Sequence, residues 1–319
     1  MFKTERVPVT LFQSTDEGAP QLTAAAGSLK TILKACLVTG YGDKQALDWE
    51  AAFEDSSYIA FRSKHNKASR CWLSVNNQYD RAAEVRGFHE MTAKETGTKK
   101  FGGGGYFPLL STRATGARWL LVGHGRTFCL LVNAGNVSDS NQDSRYCQIL
   151  YFGDFNSLAP SDGKNCVLLK SSSKNYQYID SSNAGLGYVL NSPDQTYNVD
   201  VDYLSLASSY DQLNSNIACC GSTVAQKLRG VSYPDPISGG FSAWEIFLLE
   251  RFYLDRSQFF SIRGLFGGIM AVREYLPSVR ELEFFDNLDD SGDRFVKFNT
   301  NDYNEGRDCF VLNTTAWEI

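Results

Sequence analysis

Between Gly27 and Gly42 the apolar residues fall at Leu29, Ile32, Leu33, Cys36 and Leu37. That spacing of i, i+3, i+4, i+7 and i+8 lines one face of a helix. Ser28 stands where a capping side chain would start it, and Gly40 where a glycine would end it. A helix this one-sided packs on a sheet or a partner. Ahead of it, residues 7–12 read as a strand and 15–18 as a turn. From Tyr58 onward the pattern changes to short apolar and aromatic runs separated by Gly, Asn, Asp and Ser. This predicts strands at 59–63, 71–75, 83–88, 119–122, 128–132, 147–152, 166–170, 176–179 and 188–190, then at 283–285, 295–299, 309–312 and 316–319. Gly123, His124, Gly125 and Arg126 lie between the runs WLLV and TFCLLV and read as a hairpin turn. Segment 242–252 has helix-like spacing at 244, 247, 248 and 252, but its aromatic and branched content and its surroundings favour a strand. Segments 138–144 and 171–174 read as polar loops.

The expected fold is therefore mainly β, of α+β type: antiparallel sandwich or barrel-like sheets with one amphipathic helix near the N-terminus. The expected organisation is a strand–helix arm over 1–42, a β-rich domain over 43–160, and a second β-rich region over 161–319, separate from the first or continuous with it. A soft composition shift at 155–165 marks that boundary. No regular repeat of about 20–50 residues argues for a solenoid or propeller.

Composition narrows the function. At 319 residues the chain is long enough to fold without disulfides or metals. A net charge of −5 provides no general grip on nucleic acid, and Lys94 to Lys100 read as a solvated loop. No apolar stretch approaches the ~18 residues of a membrane span, and the opening MFKTERVPVTLFQ lacks a signal-peptide core. The expectation is a protein made and kept in a cytosol, or released by a route that needs no signal peptide, such as cell lysis. The eight cysteines, Cys36, Cys71, Cys129, Cys147, Cys166, Cys219, Cys220 and Cys309, include no CxxC pair. They read as reduced, buried small hydrophobes.

Candidate chemistry is sparse. The histidines are His65, His89 and His124, all in or beside turn-like polar surroundings, with no HExxH or GxSxG motif. Gly102 to Gly105 lack the Lys-Ser/Thr continuation of a phosphate loop and read as a flexible tip. Asp286 to Asp293 faintly resemble a calcium loop with ligands Asn287, Asp289 and Ser291. Its twelfth position, however, is Phe298 where a bidentate Glu is needed, so an acidic turn is expected. Asn136 and Asn313 head glycosylation sequons that mean little in a cytosol. The expectation is no catalytic, cofactor-binding or metal-binding residue, no cofactor, and no enzyme.

A resemblance supplies a more specific expectation. Gly18-Ala19-Pro20-Gln21-Leu22, Gly27-Ser28-Leu29, the run from Ala35 to Gly42, and Trp49 resemble the opening of virion proteins of tailed bacteriophages and prophages, of siphophage-like or Mu-like particles. The segments AAEVRGFHEMT, ARWLLVGHGRTFCLLVN and LYFGDFNSLAPSDGKNCVLL are similar to that group too, so residues 10–170 carry most of the likeness. Residues 94–105 and 197–242 depart from it. The resemblance implies a structural component of a tail, baseplate or tail tip, assembled in the host cytoplasm, with copies of itself and neighbouring virion proteins as partners. It implies no catalytic residues. The N-terminal strand and helix would then be an arm that pairs with a neighbour's sheet edge. The alternative is a receptor- or carbohydrate-binding tail protein, for which Trp49 and Trp244 are the aromatic candidates. A polysaccharide-degrading enzyme is the third reading, with Asp154 and Asp162 as its acidic pair.

Overall fold

The runs WLLV, TFCLLV, QILYF and CVLL are apolar at consecutive positions, which a strand with one wet face has no reason to be. The computed structural model shows why. It describes residues 5–110, 114–133, 147–158, 162–173, 204–207, 218–221, 243–254, 257–272, 279–286, 288, 291–300 and 308–319. The chain opens with β1 (Arg6–Pro8), β2 (Thr10–Gln13), β3 (Leu22–Thr23) and helix α1 (Ser28–Lys34), which runs into a π-helical turn over Ala35–Thr39. Next come β4 (Trp49–Ala52), β5 (Tyr58–Ser63), β6 (Trp72–Asn76), β7 (Ala82–Ala93), β8 (Thr96–Phe101) and β9 (Tyr106–Pro108). The middle of the chain forms β10 (Gly116–His124), β11 (Thr127–Asn133), β12 (Gln148–Asp154), β13 (Asn156–Ser157), β14 (Cys166–Lys170) and β15 (Leu204–Leu206). The last third forms β16 (Ala218–Gly221), β17 (Ala243–Leu254), β18 (Ser257–Val272), β19 (Phe284–Asp286), β20 (Arg294–Thr300), β21 (Asp308–Asn313) and β22 (Ala316–Glu318).

These strands build three stacked antiparallel sheets. The central one has the order β15-β14-β12-β11-β10-β2, with β3 also on β10. One flanking sheet is β4-β5-β6-β7-β8 with β9 on β7, and the other is β16-β17-β18-β21-β20-β19 with β13 on β18. A short β1–β22 ribbon joins the chain's ends. Among the described residues no sheet closes into a barrel.

Alternate residues of the central sheet feed two separate cores. Trp119, Leu121, Phe128, Leu130, Leu150, Phe152 and Leu168 meet Ile59, Phe61, Leu73, Val75 and Val85 of the first flanking sheet, together with the helix. Leu120, Val122, Cys129, Leu131, Ile149, Tyr151 and Leu169 meet Ile246, Leu248, Val296, Phe298, Phe310 and Leu312 of the other. Each such side chain contributes about 1.5–3 kcal/mol by leaving water.

The helix face is as expected: Leu29, Ile32, Leu33, Cys36 and Leu37 are all inaccessible. Its start differs. Ser28 is already helical and does not cap; its hydroxyl accepts from the Thr23 N–H at 2.9 Å and donates to the Gln21 carbonyl, tying α1 to β3. Nor is 1–42 an arm. Phe12 and the helix stripe lie in the first core, and β2 pairs with β10 through Leu11↔Val122 and Phe12↔Leu121. The boundary at 160 is also crossed, because β14 completes the central sheet beside β12.

Three loop readings become structure. Residues 94–100, read as a basic loop, enter β8, which pairs with β7. The serines at 171–173 are buried: Ser171 Oγ accepts from the Ile149 N–H at 3.0 Å, and Ser173 exchanges two 2.8 Å backbone bonds with Tyr106. The glycine run is a fitted cradle. Lys170, fully buried, donates to the carbonyls of Gly105 at 2.6 Å and Val85 at 3.2 Å, and a Cβ on Gly105 would strike Ser172 Oγ. The expected strands 176–179 and 188–190 and the loop 138–144 lie outside the described residues.

Charge links the central sheet's surroundings to β17 and β18. Arg263, almost inaccessible, donates to Glu250 at 2.7 Å and to Asp162 at 2.9 Å and 3.0 Å. Removing one partner of a buried ion pair leaves the other charge uncompensated, at about 3–5 kcal/mol. Arg263→Ala should lower the unfolding free energy by roughly that amount, read as a lower urea midpoint.

Candidate functional site

The sequence candidates do not converge. Trp49 is buried in the first core, with its ring 5.6 Å from that of Phe128, and offers nothing to a ligand. Trp244 is 45% exposed, on strand β17 rather than in a loop. Asp154 is buried and held by the Arg126 guanidinium at 3.1 Å and the Ser69 N–H at 3.1 Å. Burial keeps its carboxyl above the ordinary range, against the pull of Ser69 and Arg126. Asp162 belongs to the separate Arg263–Glu250 network. The two acids thus serve different ion pairs.

The acidic turn behaves the same way. Asp293 is buried and accepts from Asn313 Nδ2 at 2.7 Å and from Arg6, so it fastens β1 and β21. Phe298, at the twelfth position, stacks on Phe310 in the second core. Asn287 and Asp289 lie outside the described residues. Asn313, the sequon asparagine, is buried. Among the described residues no group of three or more His, Cys, Asp or Glu is placed to hold a metal ion.

Two of the three histidines are buried, although His124 stands beside the Gly125–Arg126 turn as expected. His89 sits in β7, buried, with Nε2 donating to the Ala207 carbonyl. His124 ends β10, where its Nδ1 accepts the Arg126 N–H at 3.2 Å and its ring meets Trp317 edge-to-face at 5.6 Å. Its Nε2 is buried with no hydrogen-bond partner. His65 is exposed.

Two features emerge that the sequence reading did not single out. The first is a polar knot where the central sheet meets the first flanking sheet. Cys166 lies opposite Asp154 in the β12–β14 register, and the Ser69 N–H, two residues before Cys71, donates to the Asp154 carboxylate at 3.1 Å. Lys164 donates to the Ser69 carbonyl at 3.2 Å. Nothing local marks this knot, because its members come from three separate segments.

The second is an apolar strip on the outer face of β17 and β18. Ile246 and Leu248 point into the second core, so Phe247 and Leu249 face out. Across the ladder their partners are Leu265 and Ile262. A register shift between Leu248 and Leu249 skips Arg263, which keeps Ile262 and Leu265 on the same face while Arg263 turns inward. Phe247 is 36% exposed and Ile262 52%, with Leu249 and Leu265 half-buried beside them. Adjacent exposed large apolar residues mark interaction sites more often than isolated ones do. The signal lay in segment 242–252, whose apolar residues outnumber those one buried face requires. Strand β18 was not anticipated at all, so the partner half of the strip was invisible. No protein-family model matches the chain, and neither does any curated protein. No helix is long and apolar enough to cross a membrane among the described residues.

Burial, with the nearby charges of Arg126 and His65, lowers the His124 pKa from its ordinary value to about 4. The unfolded chain, titrating near 6.5, then binds the proton first, so stability falls as pH drops through that window. The full effect is roughly 3 kcal/mol by pH 4. His124→Asn keeps an acceptor near Nδ1 but cannot titrate. It should flatten the fall in urea midpoint between pH 6.5 and 4 relative to the parent.

Proposed function

We propose that this protein is a structural component of a tailed-bacteriophage virion, in the tail, baseplate or tail tip, and that it works by protein–protein assembly rather than catalysis. The observation that carries the assembly reading is the outward strip of Phe247, Leu249, Ile262 and Leu265. Aromatic and aliphatic residues gathered on one sheet face are what the dry centre of a protein interface is made of. The rest of the molecule suits a building block: a sheet buried on both faces and charged groups held in ion pairs. The resemblance of residues 10–170 to phage virion proteins supports the choice of a tail component. On this reading the partners are further copies of the chain and neighbouring virion proteins, and the protein is assembled in the host cytoplasm.

The wild-type chain should self-associate with rising concentration in sedimentation velocity. The double substitution Phe247→Asp and Ile262→Asp should abolish this while changing stability by no more than about 1 kcal/mol, as exposed positions do. Immunogold labelling of intact particles should place the chain on the tail. A wild-type chain that stays monomeric, on particles without label, would overturn the reading.

Trp244 favours a second reading, attachment to a host-surface glycan. It stands opposite the buried Ala271 in the ladder, yet its own ring is open to solvent, and exposed indole rings are good stacking surfaces. Trp244→Ala should then eliminate glycan-array signals shown by the wild type; an array with no wild-type signal removes this reading.

A further inference from the structure

Beside β20 one buried carboxylate touches both an amine and a carboxamide. Glu281 Oε1 accepts from Lys297 Nζ at 2.5 Å and from Asn299 Nδ2, and Oε2 accepts from the Asn299 N–H at 2.8 Å. Lys297 and Asn299 flank Phe298 in β20, so their side chains leave the same side of the strand. Two residues of strand span about 6.7 Å. The long Lys297 stem covers that gap and sets its nitrogen on the oxygen that the Asn299 amide also holds. The setting is dry: Glu281, Lys297 and Asn299 are 8%, 2% and 7% accessible. Lys297 stands opposite Val311, which with Phe295 belongs to an apolar cluster.

We propose that Lys297 Nζ and Asn299 Cγ join in a spontaneous isopeptide bond, with Glu281 carrying the protons. The proposal goes beyond the assembly reading and does not rest on it. It needs no reactant other than these three side chains.

The step balances as an amide exchange. Glu281 Oε1 first takes one proton from the Lys297 ammonium, freeing the nitrogen lone pair. Burial holds the Glu281 carboxyl above its ordinary range, against the pull of Lys297, Asn299 and Cys147, and so favours this transfer. The Nζ lone pair attacks Asn299 Cγ; a C–N bond forms and the carbonyl electron pair moves onto oxygen. Glu281 then hands its proton to Nδ2, which it already touches. The carbonyl re-forms, the Cγ–Nδ2 bond breaks, and ammonia leaves. The extra proton on the new amide nitrogen returns through Glu281 to the ammonia, giving ammonium. One ammonium and one carboxamide thus become one secondary amide and one free ammonium ion, with no change of oxidation state. Holding the reacting groups on a shared oxygen makes the reaction unimolecular.

The product places a neutral amide where an ammonium was buried. It also closes a ring across Phe298, fixing that residue in its stack on Phe310 at 5.3 Å. Asn313 provides an internal contrast. Its amide donates to another buried carboxylate, Asp293, at 2.7 Å, but the base on that carboxylate is Arg6. A guanidinium does not give up its proton in a protein, so Asn313 should stay intact.

The full-length protein would be weighed under denaturing conditions, then digested with trypsin and mapped by mass spectrometry. The expected intact mass is one ammonia below that of the sequence. Trypsin cuts after free lysine but not after an acylated one. The expected peptide therefore runs from Phe295 to Arg307, uncut at Lys297 and one ammonia light, with fragment ions placing the loss across Lys297 and Asn299. Glu281→Gln keeps the amine and the amide but removes the proton carrier, and should show the full mass and cleavage after Lys297. A wild-type chain of full mass, cut after Lys297, would overturn the proposal. So would an ammonia loss found only in the peptide beyond that cut, which marks a succinimide at an asparagine, or the same bond persisting in Glu281→Gln. The wild-type masses decide the matter even if the variant does not fold.

Discussion

Everything in this protein depends on a central antiparallel sheet that is dry on both faces. A one-sided sheet needs a single partner layer; this one needs two, and the chain provides one before it and one after it. The helix and β2 complete the first core and the β1–β22 ribbon closes over the second, which is why the two chain ends meet. Tyr151 and Trp317, stacked at 6.0 Å, show the dependence directly, since the first lies in β12 of the central sheet and the second in β22 of the ribbon, opposite Val7. Gly268 is shaped by the same pair: with φ of +76° it lets the indole of Trp317 lie where a Cβ would stand.

A sheet without a wet face has no cheap place for charge, and the buried ions reflect this. Lys170 is cradled by carbonyls, Arg126 holds Asp154, Arg263 holds Asp162 and Glu250, and Lys297 holds Glu281 at 2.5 Å. Each joins segments distant in sequence. Isolated buried ion pairs add little to net stability over an apolar replacement, but they penalise wrong registers heavily because a misplaced partner leaves a bare charge. In a protein of stacked sheets, where a one-residue slip would turn a strand inside out, they help to specify how the layers meet.

The outer faces are handled differently. On the first flanking sheet Tyr58, Trp72 and Phe88 form an outward aromatic group that is covered by long cations: Arg62 lies 4.4 Å from the Trp72 ring, Lys94 5.0 Å from Tyr58 and Lys100 6.0 Å from Phe88. The strip on β17 and β18 has no such cover among the described residues. That contrast, between an apolar face roofed by its own side chains and one left open, is what singles out the latter for the proposed assembly.

The helix face was readable because all of its apolar residues are set by one local period, and the strands of the central sheet because their runs are long and apolar. Their two-sided burial was implicit in those same runs. Strand β8 was hidden by Thr and Lys on an exposed edge, and β18 by glycines at 264, 267 and 268 that dilute the pattern. Local composition thus determined the class, mainly β with one amphipathic helix, and the kind of residue that would be buried. The tertiary structure alone decided which residues meet. Ser69 reaches Asp154, Arg263 reaches Asp162, and Phe247 lies beside Leu265 because ladders and layers bring distant segments together. Periodicity reports the environment of a side chain along its own strand, and carries no record of the strand that will lie across from it.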